Sequence, residues 1–120
     1  IFTAYKDNTP IAALLLFYFN GTVEYFTPVI KQEYRTMQPL SVLILEAMKD
    51  ACKMGYKWWN WGGTWLSQEG VYRFKKRWGT IDMPYYYYIK LDAKVLGYKK
   101  ETLINEYPYY YVCPFDKLTN

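Results

Sequence analysis

The chain has 120 residues, of which 52% are apolar, 22% aromatic and 22% charged, enough for one packed domain and too apolar for a disordered tail. Fifteen Lys and Arg against eleven Asp and Glu leave +4, a mild basic excess that permits an anionic partner without implying nucleic acid. Histidine is absent, which excludes Ser-His-Asp and Cys-His nucleophile systems and His-ligated zinc; no metal site is expected.

Residues Phe2 to Lys6 read as a short strand, followed by the concentrated turn signal Asp7, Asn8, Thr9 and Pro10. The strand begins abruptly and without Met, which suggests a piece of a longer chain, and residues 1–6 carry no export signal. Ile11 to Phe19 is the longest apolar run, nine residues where a membrane-spanning helix needs about 20. It reads instead as a central strand covered on both faces. Asn20-Gly21 suits a two-residue hairpin turn, and Thr22 to Ile30 returns as a third antiparallel strand.

Pro39 can open a helix that runs to Met54, with Gly55 as its left-handed stop. Leu40, Leu43, Ile44, Ala47, Met48, Ala51 and Cys52 recur at helical spacing, whereas Glu46, Lys49, Asp50 and Lys53 fall elsewhere, so one face should pack on the sheet. Tyr56 to Trp61 then reads as a strand stopped by Gly62-Gly63, parallel to the third strand across this helix. A second helix is expected over Ser67 to Trp78, closed by Gly79. A long aromatic strand follows over Ile81 to Leu91, then a polar insert with helical turns over Asp92 to Glu106. A last strand over Tyr109 to Phe115, entered at Pro108, completes a closing hairpin. Cys52 and Cys113 have no close spacing and are expected as buried thiols. The fold class is thus α/β, or α+β: a mixed sheet with antiparallel N-terminal strands, one parallel βαβ unit and a closing antiparallel hairpin, in a single domain over residues 1–120.

Three places hold candidate chemistry. In the second helix, a step of about 100° per residue from Val71 sets Phe74, Trp78 and Lys75 on one arc, with Arg73, Lys76 and Arg77 opposite. Lys75 either runs its stem along the core and leads its ammonium to water, or presents an inward cation to a phosphate, a carboxylate or a developing oxyanion. Between the third strand and the first helix lie Lys31, Glu33, Tyr34, Arg35 and Gln38, at the carboxyl end of a parallel strand where ligands commonly bind. This is either an anion-holding loop or a plain solvated one. The run WNWGGT, Trp59 to Thr64, ends the other parallel strand, and its two glycines permit close backbone approach at the mouth of a site.

Together, EYRTMQP (Glu33 to Pro39), the helix ending in Gly55, YKWWNWGGT (Tyr56 to Thr64) and GVYRFKKRWGT (Gly70 to Thr80) resemble the FemAB-type acyltransferases of the GNAT superfamily. The resemblance covers about Val29 to Thr80. It implies a GNAT-like domain, the C-terminal half of a two-domain cytoplasmic protein, whose N-terminal half is missing from this chain. The implied activity is N-acyl transfer from an aminoacyl-tRNA or acyl-CoA donor, with no permanently bound cofactor, to an amine of a peptidoglycan precursor or amino sugar. On that analogy Lys75 is the catalytic lysine and Phe74 supports it. Tyr34 and Arg35, with Asn60, Gly62 and Gly63, bind substrate. Asn60 stands where the family commonly has Asp, and RTMQPL lacks the glycines by which CoA-dependent GNAT enzymes cradle pyrophosphate. Two further readings stand beside this one: an acetyl-CoA-dependent acetyltransferase, and a non-catalytic module that stacks Trp58, Trp59, Trp61 and the tyrosines of Tyr85 to Tyr88 on carbohydrate or tRNA bases. Asp82 is a weak candidate for the proton acceptor.

Overall fold

The structure, a computed structural model, describes residues 1–64, 68–84, 86, 88–107 and 118. The chain divides into two compact units, Ile1–Thr80 and Ile81–Asn120.

In the first unit, β1 (Phe2–Lys6), β2 (Thr9–Phe19), β3 (Thr22–Ile30) and β4 (Trp58–Asn60) form one sheet in that spatial order. The first three strands are antiparallel and β4 runs parallel to β3. Both hairpins are closed by two residues at positive φ, Asp7 (48°) with Asn8 (63°) and Asn20 (45°) with Gly21 (73°). Turns of that hand match the twist of the strands they join. The first turn is therefore tighter than its four polar residues suggested, since Thr9 and Pro10 already belong to β2.

A 3₁₀ turn over Gln32–Met37 leads into α1 (Pro39–Lys53). Pro39 fits the first helical position, where an N–H has no intrahelical acceptor, and Gly55 at φ 83° ends the helix as expected. The helix lays Leu43, Ile44, Ala47 and Ala51 on a sheet face made of Ala12, Leu14, Leu16, Val23 and Tyr25. Leu14 and Ile44 are wholly buried, and each stabilises the fold by about 1.5–3 kcal/mol through lost contact with water.

Two expectations about this unit need correction. β2 is central, but Phe17 and Phe19 on its second face are 51% and 81% exposed, so α1 covers only one side. An uninterrupted apolar run does not distinguish coverage on one face from coverage on two. Cys52 is exposed rather than a buried thiol. It lies one position past Ala51, and about 100° of helix turn carries it off the packed face.

Strands β3 and β4 pair only over Thr22 to Glu24, matched with Trp58 to Asn60. Among the described residues β3 continues to Ile30 beside β2 alone, and Phe26 is the extra residue of a bulge there, because Leu15 pairs with Thr27 and Leu16 with Tyr25. A bulge bends the strand that holds it. Pairing of the two parallel strands thus ends at Glu24 and Asn60. The second helix, α2 (Glu69–Lys76), follows β4 and is shorter than expected at its described ends.

In the second unit, Ala93–Gly97 forms a 3₁₀ turn capped by the Asp92 carboxylate, which accepts from the Lys94 N–H at 2.9 Å, and α3 spans Lys100–Glu106. These are the helical turns expected of the polar insert. The aromatic strand expected over Ile81 to Leu91 is not formed by the described residues of that span, and Tyr88 there is 97% exposed. Alternating aromatic residues favour a strand only where a neighbour pairs with them. Tyr85, Tyr87, Cys113 and the expected strand Tyr109 to Phe115, hence the closing hairpin, lie outside the described residues.

Candidate functional site

The C-terminal end of β4 runs straight into Trp61-Gly62-Gly63-Thr64, and this segment is tied to α2 by one side chain. Lys75 is 9% exposed, the most buried charged residue described. Its Nζ donates to the carbonyl oxygens of Trp61 (2.7 Å) and Gly63 (3.0 Å) and to Thr64 Oγ1 (2.8 Å), with the Gly62 carbonyl at 3.5 Å. Three protons thus meet a cage of four oxygens. Burial pushes the ammonium below its ordinary pKa of 10.5, and the nearby Glu24 carboxylate opposes that shift.

The stem of Lys75 reaches this cage because α2 is anchored on aromatic rings. Phe74 and Trp78 pack against Trp61 at ring separations of 6.3 and 5.8 Å, and Trp61 packs in turn against Tyr25 and Trp59 at 5.1 and 5.9 Å. Residues at i, i+1 and i+4 of a short helix share one arc, so fixing Phe74 and Trp78 aims Lys75 inward. Arg73, Lys76 and Arg77 are exposed. Phe74 packs on Trp61 and Trp78, and Trp59 and Trp61 belong to the packed cluster, while Trp58 is 70% exposed.

Asn60 shapes the loop from the strand side. Its Oδ1 accepts the Gly62 N–H at 3.0 Å, closing a short side-chain turn as Gly62 adopts φ 65°. Only an oxygen acceptor is required for that contact, and Asn supplies it as Asp would. Glu24, opposite Asn60 across the parallel pair, comes close to the same turn: a Cβ on Gly62 would lie 3.6 Å from Glu24 Oε1.

Five of the candidates, Asn60, Gly62, Gly63, Phe74 and Lys75, therefore share one neighbourhood. Tyr34 and Arg35 do not join it. They lie in the 3₁₀ turn beyond the far end of β3, roughly 20 Å along the strand from Glu24 at about 3.3 Å per residue. There Lys6 Nζ stands 5.7 Å from the Tyr34 ring and Arg35 donates to Gln32 at 3.3 Å. Between the two groups runs the edge of β3 from Tyr25 to Ile30, which pairs with no strand among the described residues.

Glu24 was not singled out by the sequence, and Thr64 entered only as the last residue of the WNWGGT run. A signal for Glu24 was present, a lone carboxylate in an otherwise apolar and aromatic strand. A shallow cleft of about 420 Å³ lined by Phe2, Tyr18, Asp50, Lys53, Met54 and Tyr56 lies at the other end of α1 and holds none of the candidates. Among the described residues no group of His, Cys, Asp and Glu is placed to hold a metal ion, and no helix is long and apolar enough to cross a membrane.

The fold and site thus define a mixed-sheet α+β domain in which a short parallel pair ends beside a buried, loop-bound lysine. The FemAB family model matches residues 1–104, and the chain belongs to the FemAB family, transferases of peptidoglycan cross-bridge formation in cell-wall biogenesis. No curated protein and no solved structure matches the chain.

Proposed function

We propose that the chain is an N-acyltransferase that moves an aminoacyl or acyl group onto an amine of a peptidoglycan precursor or amino sugar, with the reacting groups held where β3 and β4 part. The observation that carries this reading is the buried ammonium of Lys75 at the carboxyl end of β4, within a chain that matches the FemAB family over residues 1–104. The reaction asks for little covalent help from the protein. The acceptor amine attacks the donor's carbonyl carbon, the new C–N bond forms, the ester C–O bond breaks, and the amine's proton leaves with the departing oxygen. Rate enhancement then comes from alignment and from positive potential where the carbonyl oxygen gains charge.

Aminoacyl-tRNA is the favoured donor over acyl-CoA. The turn before α1 contains no glycine, and the helix opens with Pro39, which has no N–H to offer a pyrophosphate. Tyr34 and Arg35, set apart along the free edge of β3, suit a remote portion of a long substrate rather than its reacting end. A second GNAT-like half is proposed to complete the acceptor side, and a cytoplasmic location follows from the need for charged tRNA. The test is transfer of a radiolabelled amino acid from aminoacyl-tRNA to a peptidoglycan precursor bearing a free amine. Product that depends on Lys75 supports the reading; none with any aminoacyl or acyl-CoA donor overturns it.

A further inference from the structure

The ammonium of Lys75 does not face the open side of the loop. It faces the loop's carbonyls, and a planar trans peptide sets each C=O antiparallel to the following N–H. Turning the Gly62 and Gly63 carbonyls toward Nζ therefore turns the N–H groups of Gly63 and Thr64 the other way. Gly62 and Gly63 are exposed, so this outer side is open. The Gly62 N–H is taken by Asn60 Oδ1 at 3.0 Å, whereas the N–H groups of Gly63 and Thr64 have no acceptor among the described residues.

From this we infer that Gly62 to Thr64 is an anion-recognition loop: the outward amides of Gly63 and Thr64 contact a negatively charged oxygen on a tetrahedral centre, and Lys75 is a positioning residue that acts through them. The proposal rests on the transferase reading for its substrate, but the loop's chemistry is independent of it. An ammonium behind a peptide polarises it, drawing electron density toward the carbonyl oxygen and sharpening the N–H on the far side. Two adjacent peptides polarised by one cation present two donors and a positive field, with the cation itself shielded from competing water. Gly-Gly serves here because Gly62 holds φ 65° and neither glycine places a side chain on the outer face. The ligand chemistry is shared by a phosphate of the donor and by the oxyanion of the addition intermediate.

The direct test is titration of the ¹⁵N-labelled chain with inorganic phosphate, followed by amide correlation spectra. Saturable downfield shifts of the Gly63 and Thr64 amide protons are expected, lost in Lys75→Met. Thr64→Pro, which deletes one amide donor together with the Oγ1 that Lys75 holds at 2.8 Å, should weaken phosphate about tenfold relative to Thr64→Ala, which loses the Oγ1 alone, the worth of one charge-assisted bond. Saturation with both amides unmoved, or no response of either at any phosphate concentration, overturns the inference. Should Lys75→Met fail to fold, the wild-type titration and Thr64→Pro decide alone. Steady-state transfer separates the two ligand sources: Thr64→Pro raises KM if the loop holds a donor phosphate, and lowers kcat at constant KM if it holds the oxyanion. Amide shifts that persist in a chain with no transferase activity retire the transferase reading and leave the anion loop standing.

Discussion

Lys75 Nζ lies 2.7 Å from the carbonyl oxygen of Trp61, fourteen residues earlier in the chain, and this bond joins α2 to the end of β4. A buried ammonium is costly unless its protons find acceptors. Here the acceptors are backbone oxygens of a loop that has few other restraints, so lysine and loop order each other.

Replacing that lysine is expected to act on stability and on rate by separable routes. Lys75→Met keeps most of the apolar stem and removes the charge-assisted bonds, with a cost of about 1–3 kcal/mol in denaturant unfolding. Transfer should fall by about 10²–10³-fold, the range for loss of one preorganised electrostatic element. Lys75→Arg keeps the charge but brings a planar fork to a cage shaped for a compact ammonium, and should restore less than a tenth or so of the rate.

The pH dependence follows from the same burial. Lys75 holds its proton less tightly in the folded chain than in the unfolded one, so the unfolded state binds more protons between the lowered pKa and 10.5. Stability contributed by this group therefore rises with pH across that window. If transfer requires the ammonium, as proposed, it falls across the same lowered pKa. Glu24→Gln removes the charge that opposes the shift and should move the alkaline limb of the pH–rate profile to lower pH; a limb unmoved or moved upward would contradict the assignment.

Gly62 tests the turn. A Cβ there would meet Glu24 Oε1 at 3.6 Å and the Tyr25 carbonyl at 3.9 Å, ordinary contacts, but φ 65° is costly for a side chain. Gly62→Ala is expected to destabilise by about 1–2 kcal/mol, and Asn60→Asp, which keeps the acceptor for the Gly62 N–H, by less than Asn60→Leu. Thermal melts of the three variants rank these effects.

Two core substitutions that delete the same number of heavy atoms should differ widely in cost. Ile44→Ala empties a wholly buried site and should cost about 2–5 kcal/mol. Trp59→Phe removes as many heavy atoms, three, but the indole N–H of Trp59 is buried without an acceptor among the described residues. Loss of that unsatisfied donor offsets the lost contact, and the variant should unfold within about 1 kcal/mol of the parent.

The first unit was legible wherever local physics decides the outcome. Asn20-Gly21 dictates a turn, Pro39 and Gly55 bound a helix, and the spacing of Phe74, Lys75 and Trp78 runs the lysine's stem beside the aromatic arc, leaving open whether its ammonium ends in water or in a cage. Illegible were the properties that depend on partners distant in sequence. The same aromatic alternation that reads as a strand over Ile81 to Leu91 needs a neighbour to pair with, and the second face of β2 needs a cover. The candidate site divided along that line. Asn60, Gly62, Gly63, Phe74 and Lys75 are linked by short-range geometry, whereas placing Tyr34 beside them required knowing how far β3 runs past β4.

The proposed role of Lys75 in transfer is open to a direct test. Its most direct measurement is single-turnover transfer of a labelled amino acid from aminoacyl-tRNA to an amine-bearing peptidoglycan precursor, comparing the parent with Lys75→Met at matched folded fractions. Product with the parent and a rate about 10²–10³-fold lower with the variant would support that role. Equal rates, or no product from the parent with any donor, would contradict it.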